Sequence, residues 1–216
     1  MLQHSPSLPL IVHIKAVYPR DATQFTNNII HALQYPDRVV SIFVDTYVVD
    51  PELFMALDKT FPALETFSLV FGLLECPDRE FLFSPQNFSA PHLRTLYLKN
   101  VKIKNDDIFH VPILSLLFTS VSTSLVYLHL EYIEGYSHLS PGELAERISS
   151  MPRLKRLSIR LSVDFRLVDI ESGFLDAQIA RTVLLNLREL TFEGDSAYLD
   201  KLLALIGTPS SSMFRR

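Results

Sequence analysis

Apolar residues return along the chain in one arrangement, L-x-x-L-x-L, with stretches of helical spacing between the copies. The pattern lies over Val39/Ile42/Val44, Leu64/Phe67/Leu69, Leu93/Leu96/Leu98, Leu125/Leu128/Leu130, Leu154/Leu157/Ile159 and Leu187/Leu190/Phe192. The first anchors stand 25, 29, 32, 29 and 33 residues apart, and a proline precedes the anchor by two residues at Pro62, Pro91 and Pro152. A recurrence of about 30 residues predicts stacked supersecondary units. The last two apolar positions of each copy are two apart, so they point to one face of a short strand. A single unit buries too little to stand alone, and stacking on its neighbours supplies the rest. The expectation is an α/β solenoid: a parallel sheet of about six or seven strands, with helices and loops on its other side.

Between the copies the pattern changes period. Leu10 to Ile14 alternates as a strand ahead of the first copy. Phe25, Ile29 and Leu33 share a helix face. Asp50-Pro51 reads as an N-cap and first helical residue, with Leu53, Leu57 and Phe61 as the buried stripe. Gly72 to Ala90 has no sustained period and reads as a long loop. A short helix is expected from Pro112, with Leu114, Leu117, Phe118 and Val121 inward. Ser140-Pro141-Gly142-Glu143 is a capping box, followed by Leu144, Ile148 and Met151 on one face. Ser162 to Arg181 is irregular. The final helix carries Leu199, Leu202, Leu203 and Ile206 and is expected to stop at Gly207 as a C′ glycine. Residues 1–7 read as a disordered tail and 8–216 as a single domain. Thr208 to Arg216 begins a seventh unit, with Pro209 in the proline place but Ser211 in the anchor place. The array is therefore expected to be cut short, with the last strand's outer side unpaired and a tendency to fray or aggregate.

Composition narrows the function classes. Apolar residues make up 48% of the chain, enough for a large core. The net charge of −4 leaves no polyanion footprint, so nucleic acid is not an expected partner. One cysteine, Cys76, allows no internal disulfide and fits a reducing, intracellular location, cytoplasmic or nuclear. Leu8 to Val12 is too short, and broken by Pro9, for a signal peptide, and no run is long enough to span a membrane. Asn87-Phe88-Ser89 forms a sequon that, without a secretion signal, carries no weight.

No catalytic signature is present. The seven histidines lie in no H-E-x-x-H and near no cysteine partner, so no metal site and no cofactor are expected. Asp106-Asp107 reads as a polar turn. The six glycines form no phosphate cradle, and no G-x-S-x-G elbow occurs. The candidate chemistry lies instead on the outward strand positions, which stack into columns. One column reads Lys99, Glu131, Arg160, Glu193, and its alternating signs suit a cross-strand ion-pair ladder. A second reads Tyr97, His129, Ser158, Thr191, and a third Thr95, Tyr127, Arg156, Glu189. Tyrosine and arginine are favoured interface anchors. The partner-binding residues expected are therefore Thr95, Tyr97, Tyr127, His129, Arg156, Ser158 and Glu189.

Eight stretches stand out in order along the chain: Leu8 to Val12, Ile29 to Val39, Phe61 to Leu64, Ser89 to Leu96, Ser124 to Leu128, Ile133 to Glu143, Arg181 to Leu184 and Tyr198 to Leu202. Together they resemble the fungal F-box proteins of mushroom-type fungi, whose C-terminal half is a degenerate leucine-rich-repeat array. The resemblance implies a leucine-rich-repeat-like solenoid. It also implies the substrate-recognition part of a ubiquitin-ligase adaptor, in which an N-terminal F-box docks on the Skp1 adaptor and the repeats hold the target. Two departures qualify it. Leu8-Pro9 echoes the opening of an F-box, but only seven residues precede Leu8 and no F-box helices follow, so Skp1 binding is not expected of this chain. Well-formed repeats place asparagine three residues beyond the last strand leucine, where this chain has Tyr47, Gly72, Val101, Ile133, Ser162 and Asp195.

The function expected is a non-catalytic protein–protein interaction module acting through its strand face, with an unknown protein target. Two other readings are a truncated product without activity of its own and an enzyme with a site in the loops 72–90 or 162–181.

Overall fold

The structure, a computed structural model, describes residues 8–15, 22–46, 51–71, 87–100, 123–132, 140–161, 182–207 and 213–215. The chain is α/β, built on an open, all-parallel sheet. Seven strands of five or more residues make up most of it: β1 (Leu10–Lys15), β2 (Val39–Thr46), β3 (Thr66–Phe71), β4 (Thr95–Lys99), β5 (Tyr127–Glu131), β6 (Arg156–Arg160) and β8 (Glu189–Glu193). A three-residue strand, β10 (Met213–Arg215), adds to the edge of β8, and β7 (Thr182–Val183) pairs separately with β9 (Ile206–Gly207). Neighbours in the large sheet follow chain order, β1-β2-β3-β4-β5-β6-β8-β10. Among the described residues the helices are α1 (Ala22–Leu33), α2 (Pro51–Leu57), α3 (Pro141–Ser149) and α4 (Ser196–Leu205).

The register follows the leucine pattern. Leu69, Leu98, Leu130 and Ile159 are consecutive partners across β3, β4, β5 and β6, as are Phe67, Leu96, Leu128 and Leu157 one step earlier. Every first anchor, from Val39 to Leu187, is buried with them. Helix residues Ile29, Leu33, Leu53, Leu57, Leu144, Ile148, Leu199 and Leu202 join the same core. The helices thus cover the leucine face of the sheet, α1 beside α2 and α3 beside α4. The other face carries the half-exposed alternate positions.

The recurring proline has a local cause. β3, β4, β6 and β8 are each entered through a turn closed by the anchor's N–H: Leu64 to the Phe61 carbonyl (3.3 Å), Leu93 to Ala90 (3.0 Å), Leu154 to Met151 (3.1 Å) and Leu187 to Leu184 (3.2 Å). Pro62, Pro91 and Pro152 occupy the second position of such turns, where a fixed φ near −65° is favourable. Phe61 is consequently the buried first residue of a turn and does not belong to the α2 stripe, because α2 ends at Leu57. Met151 likewise lies beyond α3 but stays buried.

At the strand entries one carbonyl serves two donors of the next unit. Glu65 O accepts from Arg94 and Thr95, Arg94 O from Val126 and Tyr127, Val126 O from Lys155 and Arg156, and Lys155 O from Arg188 and Glu189. At the exits, Asn100 N donates to Glu131 O, Tyr132 N to Arg160 O and Leu161 N to Glu193 O. Asn100 (φ 52) and Tyr132 (φ 47) adopt left-handed backbone there. Of the six positions where an asparagine ladder would stand, Asp195 is the one described. Its carboxylate caps α4, accepting from Ala197 N.

Two further expectations change. Gly207 is not a left-handed C′ residue: Ile206 leaves α4 extended (φ −106, ψ 127) and carries the chain into β9, against β7. The outer side of β8 is not unpaired, because Met213, Phe214 and Arg215 lie against Glu189, Leu190 and Thr191. β10 is the strand of the seventh unit that Thr208 to Arg216 was expected to begin, with Phe214 beside Leu190 in the leucine register. The sequence pattern gave no sign of β7 or β9, which are too short to show a period. The capping box at Ser140 is present in full: its hydroxyl accepts from Glu143 N and the Glu143 carboxylate accepts from Ser140 N. Residues 1–7, the Pro112 helix, Cys76, Asp106-Asp107, Pro209 and Ser211, and most of the loops 72–90 and 162–181 lie outside the described residues. Within the end of the first loop, Phe88 is buried with its ring 5.3 Å from that of Phe67.

Candidate protein-binding face

The alternate positions of β4, β5, β6 and β8 form the outward face. All seven sequence-derived candidates lie on it, in two adjacent register columns. Thr95, Tyr127, Arg156 and Glu189 are consecutive partners, and so are Tyr97, His129, Ser158 and Thr191. The Arg156 guanidinium sits 5.3 Å from the centre of the Tyr127 ring, and its Nε lies 3.0 Å from Glu189 Oε2. Tyr127 is 38% exposed, making it a large, wet aromatic with a cation over its ring. Such a pair is amphipathic, as interface anchors are.

One strand position further on, the charge column runs Lys99, Glu131, Arg160, Glu193 in register. It is a continuous ion ladder: Lys99 Nζ to Glu131 Oε1 2.8 Å, Arg160 Nη1 to Glu131 Oε1 3.4 Å, Arg160 Nε to Glu193 Oε2 2.7 Å. Glu131 is its hub. The Tyr97 hydroxyl donates to the other carboxylate oxygen at 2.8 Å. Although it points to the solvent side of the sheet, Glu131 is only 4% exposed, being roofed by these partners. Burial alone would raise its pKa. The hydrogen bonds from Lys99 and Tyr97, with the charges of Lys99 and Arg160, more than offset that and hold it down at about 2. Tyr97 moves the opposite way, to about 12, through burial first and then through its bond to the Glu131 carboxylate.

His129 stacks on Tyr97 with ring centres 4.5 Å apart. Its Nε2 is 3.5 Å from Glu131 Oε2, longer than a formed N–H···O bond, and is buried without a hydrogen-bond partner. Burial, aided by the Arg160 and Lys99 charges and opposed by Glu131, lowers its pKa. Tyr97 and His129 are therefore partly committed to holding the face together, whereas Tyr127 and Arg156 remain presented.

The sequence reading placed Glu131 in a column but not among the site residues; its signal was a lone acid flanked in register by two cations. It also passed over a second aromatic pair at the far end of the face. His13 and Phe43 are register partners of β1 and β2 and stack at 4.6 Å.

No family model, curated protein or solved structure matches this chain. Among the described residues there is no group of three or more histidine, cysteine, aspartate or glutamate side chains placed to hold a metal. No helix there is long and apolar enough to cross a membrane.

Proposed function

We propose that the chain is a non-catalytic protein-binding module: a leucine-rich-repeat-like solenoid of the kind that forms the substrate-recognition half of F-box adaptors. The parallel strands in chain order, the turn-entered strands and the buried leucine rows support the solenoid reading. The binding surface is the outward strand face, and the protein target lies across β4, β5 and β6. The observation that carries this reading is the exposed Tyr127–Arg156 pair beside a rigid, self-neutralised charge ladder. Charges already paired within the face cost little further to cover, while the aromatic and the arginine offer apolar area and directed donors.

The test is site-specific photocrosslinking. A photoreactive residue in place of Tyr127 should give protein adducts, and one in place of Met55, exposed on the helix side, should give none. Adducts from Met55 and none from Tyr127 would move the binding surface to the helices and overturn the proposal.

A further inference from the structure

The strand exits and the strand entries handle charge differently. At the strand exits, Lys99, Glu131, Arg160 and Glu193 are all paired. At the entries, Arg94, Val126, Lys155 and Arg188 form one row, linked through Val126 N to Arg94 O (2.8 Å), Lys155 N to Val126 O (2.9 Å) and Arg188 N to Lys155 O (2.8 Å). Arg153 stands in the turn just ahead of Lys155. The four cations are exposed, and none forms an ion pair with any described residue. Two acids lie close by. Glu189 is turned to Arg156 at 3.0 Å, and Glu65 continues the row beyond Arg94 without pairing with it. Among the described residues the strip is thus four positive charges unpaired by any acid, with Glu65 at its Arg94 end, in a chain whose net charge is −4.

Like charges on neighbouring strands disfavour the sheet. At a strand spacing of about 4.8 Å, the Lys155 and Arg188 backbones are about 5 Å apart, and Arg94 stands about 10 Å from Lys155 on its other side. A peptide in the extended polyproline II form advances about 3.1 Å per residue and returns to the same face every third residue, so acids three residues apart span about that longer interval on one side. The row therefore matches acids spaced along an extended chain lying across the strand entries, with Tyr127 alongside for an apolar neighbour. Single-stranded nucleic acid needs open aromatic faces on which bases stack. Here the Tyr127 ring already carries the Arg156 guanidinium.

We propose that Arg94, Lys155 and Arg188, with Arg153, dock an extended acidic segment of the protein partner; this rests on the reading of the strand face as the binding surface. The probe is a labelled peptide repeating Glu-Ser-Ser, measured by fluorescence anisotropy on the full chain at low salt. A Lys-Ser-Ser peptide and an oligouridylate serve as comparisons. The acidic peptide should bind and the basic one should not. Affinity should fall with added salt, and by about tenfold or more in Arg94→Gln/Lys155→Gln/Arg188→Gln. These side chains are exposed, and an unchanged circular dichroism melt shows that the variant is folded. Absence of acidic-peptide binding overturns the proposal, as does equal affinity in the variant. Tighter oligouridylate binding that the same variant loses also overturns it, in favour of a nucleic acid. The two readings fail separately. Partner adducts from Tyr127 with no response to the glutamine variant sink the acidic row alone, whereas row-dependent peptide binding with adducts only from Met55 sinks the strand-face reading and supports the row.

Discussion

Lys99 Nζ lies 2.8 Å from Glu131 Oε1, one strand across on the outward face of the sheet. The same carboxylate takes the Tyr97 hydroxyl and faces Arg160, and only 4% of Glu131 reaches solvent. Removing it leaves two cations and a phenol without their shared partner. Glu131→Ala is expected to lower the unfolding free energy by about 2–4 kcal/mol, read from the urea midpoint near neutral pH. Lys99→Ala, which takes away a partly exposed cation and leaves Tyr97 and Arg160 in place, should cost under about 1 kcal/mol.

The same residue sets an acid dependence. Its folded pKa of about 2 lies below its ordinary value of 4.5, so between those limits the unfolded chain binds the extra proton. Stability from this group is therefore complete above about pH 5 and is lost as pH falls toward 2. Glu131→Gln should be less stable than the natural chain at neutral pH, and the difference should shrink at about pH 3. A difference that stays constant down to that pH would contradict the assignment.

His129 contributes with the same sign through a different cause. Its folded pKa lies below the unfolded value of 6.5, so stability is lost as pH falls through 6.5. His129→Phe keeps the stack on Tyr97 and removes the unpartnered Nε2. The variant should gain stability relative to the natural chain below pH 6.5, by up to about 1 kcal/mol, and gain less above it, as thermal melts at the two pH values would show.

Gly194 leaves β8 with φ 151, and a Cβ there would come within 2.9 Å of Leu161 Cβ. Gly194→Ala should cost about 1–3 kcal/mol. On the interior row, Leu98→Ala should cost about 2–5 kcal/mol. Thr95→Ala, on the half-exposed outward face, should shift the denaturation midpoint by under about 1 kcal/mol.

The sheet was legible because burial on one face writes period two into each strand, and stacking writes a period of about 30 across them. Leu96 and Leu98 show the first; their pairing with Leu128 and Leu130 shows the second. The capping box was legible because its two bonds join residues three apart in sequence. What escaped depends on lateral neighbours. Glu131 reads as a surface acid until Tyr97 and Lys99 arrive from β4 and Arg160 from β6. Phe61 fits a helical stripe by spacing, but its carbonyl is taken by Leu64 in a turn. The basic row was passed over because Arg94, Val126, Lys155 and Arg188 stand one position ahead of the Thr95 column, outside the alternating strand positions from which the columns were read.

Binding through the strand face is the claim on which the account stands, and Tyr127 and Arg156 are its most direct handle. The decisive measurement is the affinity of a crosslink-identified partner for Tyr127→Ala/Arg156→Ala against the natural chain, with equal melting behaviour established first. The account predicts a loss of about tenfold or more. Unchanged affinity in a folded variant would contradict it.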